Sequence, residues 1–355
     1  MSERGRPRIY LHIGRNKAGS TSLQDFFLER RAVLAQAGLR YCLFGHLKDS
    51  VPGVPGFATA PELTAYARTE AAPAYLVSNE FLFGWPRDYT DSMVAGLSGC
   101  DVRVIAYLRP YGEWVQSAYA EEVRRGLTCL DFDRYLDELH PQISAWPYLE
   151  GWAEALGWER IRVRSTDPRD LAGGDLIGDC LTALGLDPAL AGAARRSNRA
   201  PPWPVLEMLR RLRELTDEAT FHRVAPSLQL LLEEGLSETT LPPAEYLTSE
   251  QAHRLADLYN SDLLRLAERT GVALQPERPN EQIGAMRPGF DRMPPALLRQ
   301  WAVRAKLPDF RRSHPEAAAT AEKLMANCRA AFGAIMQRIG PEPPREGDEI
   351  TPRAS

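Results

Sequence analysis

Apolar residues in this chain cluster in short unbroken runs, separated by stretches with helical spacing. Ile9 to Ile13, Ala74 to Val77 and Val102 to Leu108 read as strands buried on both faces, and Arg160 to Arg164 is a fourth strand candidate. Leu39 to Phe44 is a further apolar run. After the first strand, Leu23, Phe26, Phe27, Leu34 and Ala37 recur at the spacing of one helical face, and Gly38 fits the stop position. Further helices are expected over Tyr111 to Arg125, over Asp175 to Leu186 with Gly185 at the end, and after Trp203, where Val205, Leu206, Leu209, Leu212 and Leu215 share a face. Thr248-Ser249-Glu250-Gln251 is a capping box opening a helix that ends near Gly271. Alternation of this kind from Ile9 to about Leu274 predicts an α/β fold with a central parallel sheet flanked by helices.

The junction of the first strand and first helix carries the chemistry. Gly14-Arg15-Asn16-Lys17-Ala18-Gly19-Ser20-Thr21-Ser22 is a glycine-punctuated loop with one lysine, running into a helix through three hydroxyl residues. A helix N-terminus offers unpaired N–H groups and the positive end of its dipole, and glycines let the main chain approach oxygen atoms closely. The segment therefore reads as a phosphate loop in a P-loop-like three-layer fold. Nucleoside-triphosphatase loops place lysine directly after the second glycine. Here Ser20 holds that place, and Lys17 precedes Gly19 by two residues.

Lys-Ala-Gly-Ser-Thr-Ser after Leu-His-Ile-Gly resembles the 5′-phosphosulfate loop of sulfotransferases that use 3′-phosphoadenosine 5′-phosphosulfate (PAPS), above all bacterial members acting on carbohydrates. A second motif agrees. Arg109 ends the Val102 to Leu108 run, and Ser117 follows eight residues later, about two turns into a helix. This resembles the 3′-phosphate motif of the same family, and a planar guanidinium suits bidentate phosphate binding. The resemblance implies that Arg15 to Ser22 (Arg15, Asn16, Lys17, Ala18, Gly19, Ser20, Thr21 and Ser22) surround the 5′-phosphosulfate, with Arg109 and Ser117 on the 3′-phosphate. A basic segment late in the chain, with Arg195 and Asn198, is similar in placement to one that closes over that phosphate, but it lacks the Arg-x-Gly signature of the eukaryotic cytosolic enzymes. The product would be 3′-phosphoadenosine 5′-phosphate, and no metal is required.

Sulfuryl transfer to a hydroxyl needs a base. Glu80 follows the Ala74 to Asn79 run and belongs at the same strand-end crevice as Lys17 and Arg109, where a carboxylate can accept the proton. His46 is the second candidate base, and Lys17 the group that neutralises the leaving oxygen. His12, inside the first strand, reads as packed or hydrogen-bonded to neighbouring backbone, with orienting the loop from below as the alternative. Among the seven tryptophans, Trp85, Trp114, Trp146 and Trp152 offer flat faces for sugar rings. A carbohydrate or glycolipid hydroxyl is the expected acceptor, with a small secondary metabolite as rival. A P-loop kinase and a noncatalytic nucleotide sensor are the readings from other classes.

The whole-chain properties set limits. The 355 residues, 44% apolar, can build a substantial core. A net charge of −4 argues against a nucleic-acid partner. Met1 to Arg8 is polar, no run approaches a membrane span, and the five scattered cysteines lack metal-ligand spacing, so the expected setting is cytoplasmic. The expected organisation is a flexible tail over 1–8, the sulfotransferase-like α/β domain over 9–275, a helical extension over 276–340 that packs or homodimerises, and a disordered tail over 341–355. Val51 to Pro61, rich in Pro and Gly, is expected to be a mobile loop near the acceptor.

Overall fold

A computed structural model describes residues 5–45, 51–70, 72–192, 201–236, 241, 245–279 and 287–339. Its strands are β1 (Arg8–His12), β2 (Leu39–Phe44), β3 (Gly56–Phe57), β4 (Ala74–Ser78), β5 (Asp101–Leu108) and β6 (Ile161–Ser165). The helices up to the last strand are α1 (Ser20–Glu29), α2 (Arg31–Gln36), α3 (Ala60–Thr69), α4 (Arg87–Gly96), α5 (Tyr111–Arg124), α6 (Phe132–Leu139) and α7 (Trp146–Leu156). Those after it are α8 (Leu176–Leu184), α9 (Trp203–Leu215), α10 (Glu218–Glu234), α11 (Ser249–Thr270), α12 (Pro295–Arg304), α13 (Pro308–Ser313) and α14 (Pro315–Ile339).

The chain divides into two compact units. One comprises Met1–Ala118, Leu136–Arg199 and Leu247–Glu281, and the other Tyr119–Tyr135, Ala200–Tyr246 and Gln282–Ser355. The described residues 287–339 thus group with two internal segments.

The first unit holds a six-stranded sheet in the order β3-β2-β4-β1-β5-β6, with every pair parallel. This is the α/β architecture expected of the alternating pattern. Each inner strand is a short apolar run because helices on the flanks leave it no wet face. Ile9, Leu11, Tyr75, Val77, Val104 and Ile105 are fully buried. On one side, Leu23 and Phe27 of α1 and Leu181 of α8 pack with Tyr10, Leu76 and Tyr107. Burying a side chain such as Phe27 contributes about 1.5–3 kcal/mol. The helix expected from Leu23 through Ala37 breaks at Arg30 into α1 and α2, and Gly38 then turns the chain at φ 89°. Gly56–Phe57, inside the stretch expected to be a loop, adds a two-residue edge strand beside Leu43 and Phe44.

Register positions the site. His12 of β1 lies opposite Ser78, the last residue of β4, and opposite Ile105 of β5. β5 therefore runs three residues past the end of β1, so Arg109 emerges beside the loop that β1 feeds. Ligands of open parallel sheets bind beyond the carboxyl ends of the strands, where the strand order reverses. β1, flanked by β4 and β5, occupies that place.

In the second unit, α14 packs on α10 and α12 with Ala317, Ala321, Leu324, Met325 and Cys328 buried. Trp301 of α12 is buried and donates from Nε1 to the Leu232 carbonyl at 3.0 Å. The apolar face of α14 is thus covered within the chain as far as Cys328. Among the described residues, no helix is long and apolar enough to cross a membrane, and no group of three His, Cys, Asp or Glu could hold a metal ion.

Candidate functional site

The loop between β1 and α1 is built around two left-handed residues. The Ala18 N–H donates to the Arg15 carbonyl at 3.1 Å, closing a tight turn, and Lys17 within it has φ 62°. Among the described residues it is the one non-glycine with positive φ, a conformation that costs about 1 kcal/mol or more. Gly19, at φ 85°, ends the loop and caps α1. A Cβ there would lie 2.3 Å from Leu176 Cδ2, so α8 closes the back of the loop and only glycine fits.

The start of α1 has no side-chain cap, as the starts of α2, α4, α7, α9, α12 and α13 have none, and what sets it apart is the Lys17 turn that leads into it. The helices α3, α8, α10 and α11 are capped by Thr59, Asp175, Asp217 and Thr248. α1 has no side-chain cap and no acidic residue in its first turn, although three hydroxyl residues open it. A helix end without a carboxylate can accept an external anion. Lys17 is half-buried beside it, Thr21 is exposed, and the buried Ser20 hydroxyl reaches the Arg15 carbonyl at 3.4 Å.

Behind the loop lies a buried support. The guanidinium of Arg15 turns inward, 3.4 Å from the centroid of the Trp114 ring, and donates to the carbonyls of Gln142 and Ile143, both at 2.6 Å. Burial lowers its pKa to about 10, which leaves it cationic at neutral pH. Trp114 in turn donates from Nε1 to the Asn16 carbonyl at 2.9 Å. Tyr111 donates to Asp262 of α11 at 2.6 Å, and Ser144 and the Ala145 N–H donate to the same carboxylate. Arg15 and Ala18 are thus buried structural parts of the loop, and Asn16, whose carbonyl is held by Trp114, is exposed at its rim.

Arg109 reaches the loop from the end of β5. Its Nη1 donates to the Lys17 carbonyl at 3.4 Å, and its Nε pairs with Glu113, one turn along, at 3.1 Å. Both groups remain partly exposed. Ser117 is half-buried two turns into α5. The first amides of α5 are already taken: the Glu277 carboxylate accepts from the N–H of Tyr111 at 3.0 Å and of Gly112 at 3.1 Å. Asn260 holds the Glu277 backbone by two bonds, 2.8 and 3.1 Å. Burial raises the pKa of Glu277 to about 7, against the opposing pull of those two N–H donors.

Glu80 opens a 3₁₀ turn, Glu80–Gly84, two residues past β4 and half-buried. Asn79 fixes the turn: its side chain accepts from the Phe81 N–H at 3.0 Å and donates to the Phe44 carbonyl at 3.1 Å, and its own N–H donates to the His12 carbonyl. Glu80 therefore stands just past the end of β4, the strand next to β1, at the same sheet edge as Lys17. Phe81 is 72% exposed beside it. Further along, half-buried Trp85 lies between Phe44 and the exposed Tyr89, with ring centroids 6.5 and 6.0 Å apart. Trp114 and Trp152 are core residues, and Trp146 stacks on Trp158.

His46, Arg195 and Asn198 lie outside the described residues. The loop residues and Arg109 are brought together at one edge, with Glu80 just past the end of the neighbouring strand.

No protein-family model and no curated protein matches the sequence. Among solved structures, a sulfotransferase from Alicyclobacillus acidocaldarius aligns with 76% of this chain and 98% of its own, at 14% identity and a TM-score of 0.40. A superposition that loose transfers no residue or role to this chain, and the site stands on its own geometry.

Two site residues had no clear signal in the sequence. Glu277 sits in the proline-bounded connector after α11 and acts across more than 160 positions, where no periodicity points. The role of Trp114 as a brace for Asn16 depends on a rotamer, and its sequence context shows only an aromatic on a helix.

Proposed function

We propose that this protein is a PAPS-dependent sulfotransferase acting on the hydroxyl of a carbohydrate or glycolipid. The observation that carries the reading is the meeting of Arg109 with the Lys17 loop at the uncapped start of α1. In this reading one cationic group serves each end of a doubly phosphorylated adenosine. An orphaned ring nitrogen of His12 under the loop adds to the polar lining.

In this reading the amides of α1, the Ser20 to Ser22 hydroxyls and the Lys17 ammonium hold the 5′-phosphosulfate, and Arg109 with Ser117 takes the 3′-phosphate. Glu80 accepts the proton of the acceptor hydroxyl as its oxygen bonds to sulfur. The bond from sulfur to the bridging oxygen breaks, and Lys17 and the α1 amides meet the charge left on the departing phosphate. Preorganised donors of this kind typically contribute a few kcal/mol each to the transition state. The exposed ring of Phe81 beside the base, with Trp85 and Tyr89 beyond it, supports an acceptor that presents a flat apolar face, as a pyranose does.

The test is a transfer assay with PAPS, free of magnesium, against a panel of glycosides and glycolipids. Release of 3′-phosphoadenosine 5′-phosphate together with a sulfated glycoside supports the proposal. Turnover of ATP with magnesium, and none of PAPS, contradicts it.

A further inference from the structure

Under the phosphate loop lies a polar atom that the fold leaves unsatisfied. His12 is fully buried, and its Nδ1 is 2.7 Å from Ser78 Oγ, while Nε2 has no hydrogen-bond partner. Unpaired buried nitrogens are uncommon, and each calls for an explanation. This one faces the loop. A Cβ on Gly14 would lie 2.7 Å from His12 Nε2 and 2.8 Å from Ser20 Oγ, so the ring nitrogen and the hydroxyl converge on the same point above the glycine. Ser20 in turn makes only a long bond, 3.4 Å, to the Arg15 carbonyl. It is also the first residue of α1, which no side chain caps.

We infer that His12 is a positioning residue for the anion seat, donating from Nε2–H to Ser20 Oγ so that the Ser20 hydroxyl hydrogen is turned outward to a bound phosphate oxygen. Ser78 donates to Nδ1, which fixes the tautomer with hydrogen on Nε2. The donors then run in one direction, from Ser78 through His12 and Ser20 to the anion, and each hydrogen bond polarises the next. The ring serves without charge, because burial lowers its pKa to about 4. Gly14 is required at the crossing point, where any side chain would push Nε2 and the hydroxyl apart.

The inference rests on the loop being the seat of the 5′-phosphate, and the experiment separates the two. The full chain, labelled with ¹⁵N-histidine, is titrated with 3′-phosphoadenosine 5′-phosphate, and the His12 ring resonances are assigned by their loss in H12F. The expected result is a neutral Nε2–H ring between pH 5 and 8 whose Nε2–H resonance moves as the nucleotide saturates. Nucleotide affinity should fall about tenfold in H12F and about tenfold in S20A, with the double variant little weaker than either. Should H12F fail to fold, the wild-type resonance and S20A still decide. Nucleotide binding that leaves the Nε2–H resonance unmoved, or a ring carrying hydrogen on Nδ1, overturns the relay and leaves the donor reading in place. Absence of nucleotide binding to the wild-type chain overturns the donor reading, and the relay falls with it.

Discussion

The guanidinium of Arg109 donates to the carbonyl oxygen of Lys17 across 92 positions of sequence, at 3.4 Å. Two features separated along the chain, a strand-end arginine and a glycine loop, thereby become one surface. β5 outruns β1 by three residues and delivers the arginine at the height of the loop.

Removal of that guanidinium should act on binding, and removal of the carboxylate at Glu80 on turnover. Charge-assisted bonds to phosphate contribute about 1.5–3 kcal/mol, so R109A should weaken 3′-phosphoadenosine 5′-phosphate by about 10- to 100-fold. E80Q should leave that affinity within about twofold while lowering kcat by about 10²-fold or more. Calorimetry and steady-state kinetics on both variants check this; equal effects on both parameters would contradict the assigned roles.

Lys17 holds a left-handed conformation that glycine adopts without strain. K17G should therefore raise stability by about 0.5–1 kcal/mol in urea unfolding while nucleotide affinity and turnover fall. A variant less stable than wild type would show that the loop stores no such strain.

At Gly19 the sign reverses. G19A meets both a positive φ and the Leu176 side chain at 2.3 Å, so it should cost about 1–3 kcal/mol. Adding L176A should recover the steric part and leave the backbone part, which the double variant's melting temperature reads out. A double variant no more stable than G19A would mean that Leu176 does not set the limit.

Two buried groups give opposing dependences on pH. His12 titrates at 6.5 when exposed and at about 4 in the fold, so its contribution is complete above 6.5 and is lost as pH falls to about 4, by about 3 kcal/mol. Glu277 is shifted upward, from 4.5 to about 7, so its contribution is complete below 4.5 and is lost as pH rises through 7. The two largely cancel in the wild type. Urea unfolding from pH 4 to 7.5 should show the stability of H12F declining with rising pH relative to wild type, and that of E277Q rising relative to wild type. Parallel curves for all three proteins would contradict these assignments.

Much of the fold was legible because its signals are local. Unbroken apolar runs gave β1, β4 and β5, the capping box at Thr248 gave the start of α11, and Gly185 and Gly271 gave two helix ends in left-handed conformations. The edge strand Gly56–Phe57 was hidden in a Pro- and Gly-rich stretch, because two residues pairing with Leu43 and Phe44 leave no period to read. In the site, the loop and Arg109 were visible as residue types at strand ends. The inward turn of Arg15 onto Trp114 was not, since an arginine in a phosphate loop looks the same in sequence whether it faces ligand or core. Glu277 was hidden for a different reason: its partners are backbone amides, which every sequence has.

The central claim is that Arg109 and the Lys17 loop grip opposite ends of one nucleotide. Calorimetry with 3′-phosphoadenosine 5′-phosphate and with adenosine 5′-phosphate, on wild type and R109A, tests it most directly. The account predicts that wild type prefers the bisphosphate by about tenfold or more and that R109A binds the two alike. The same preference in both proteins would place the 3′-phosphate elsewhere and contradict the claim.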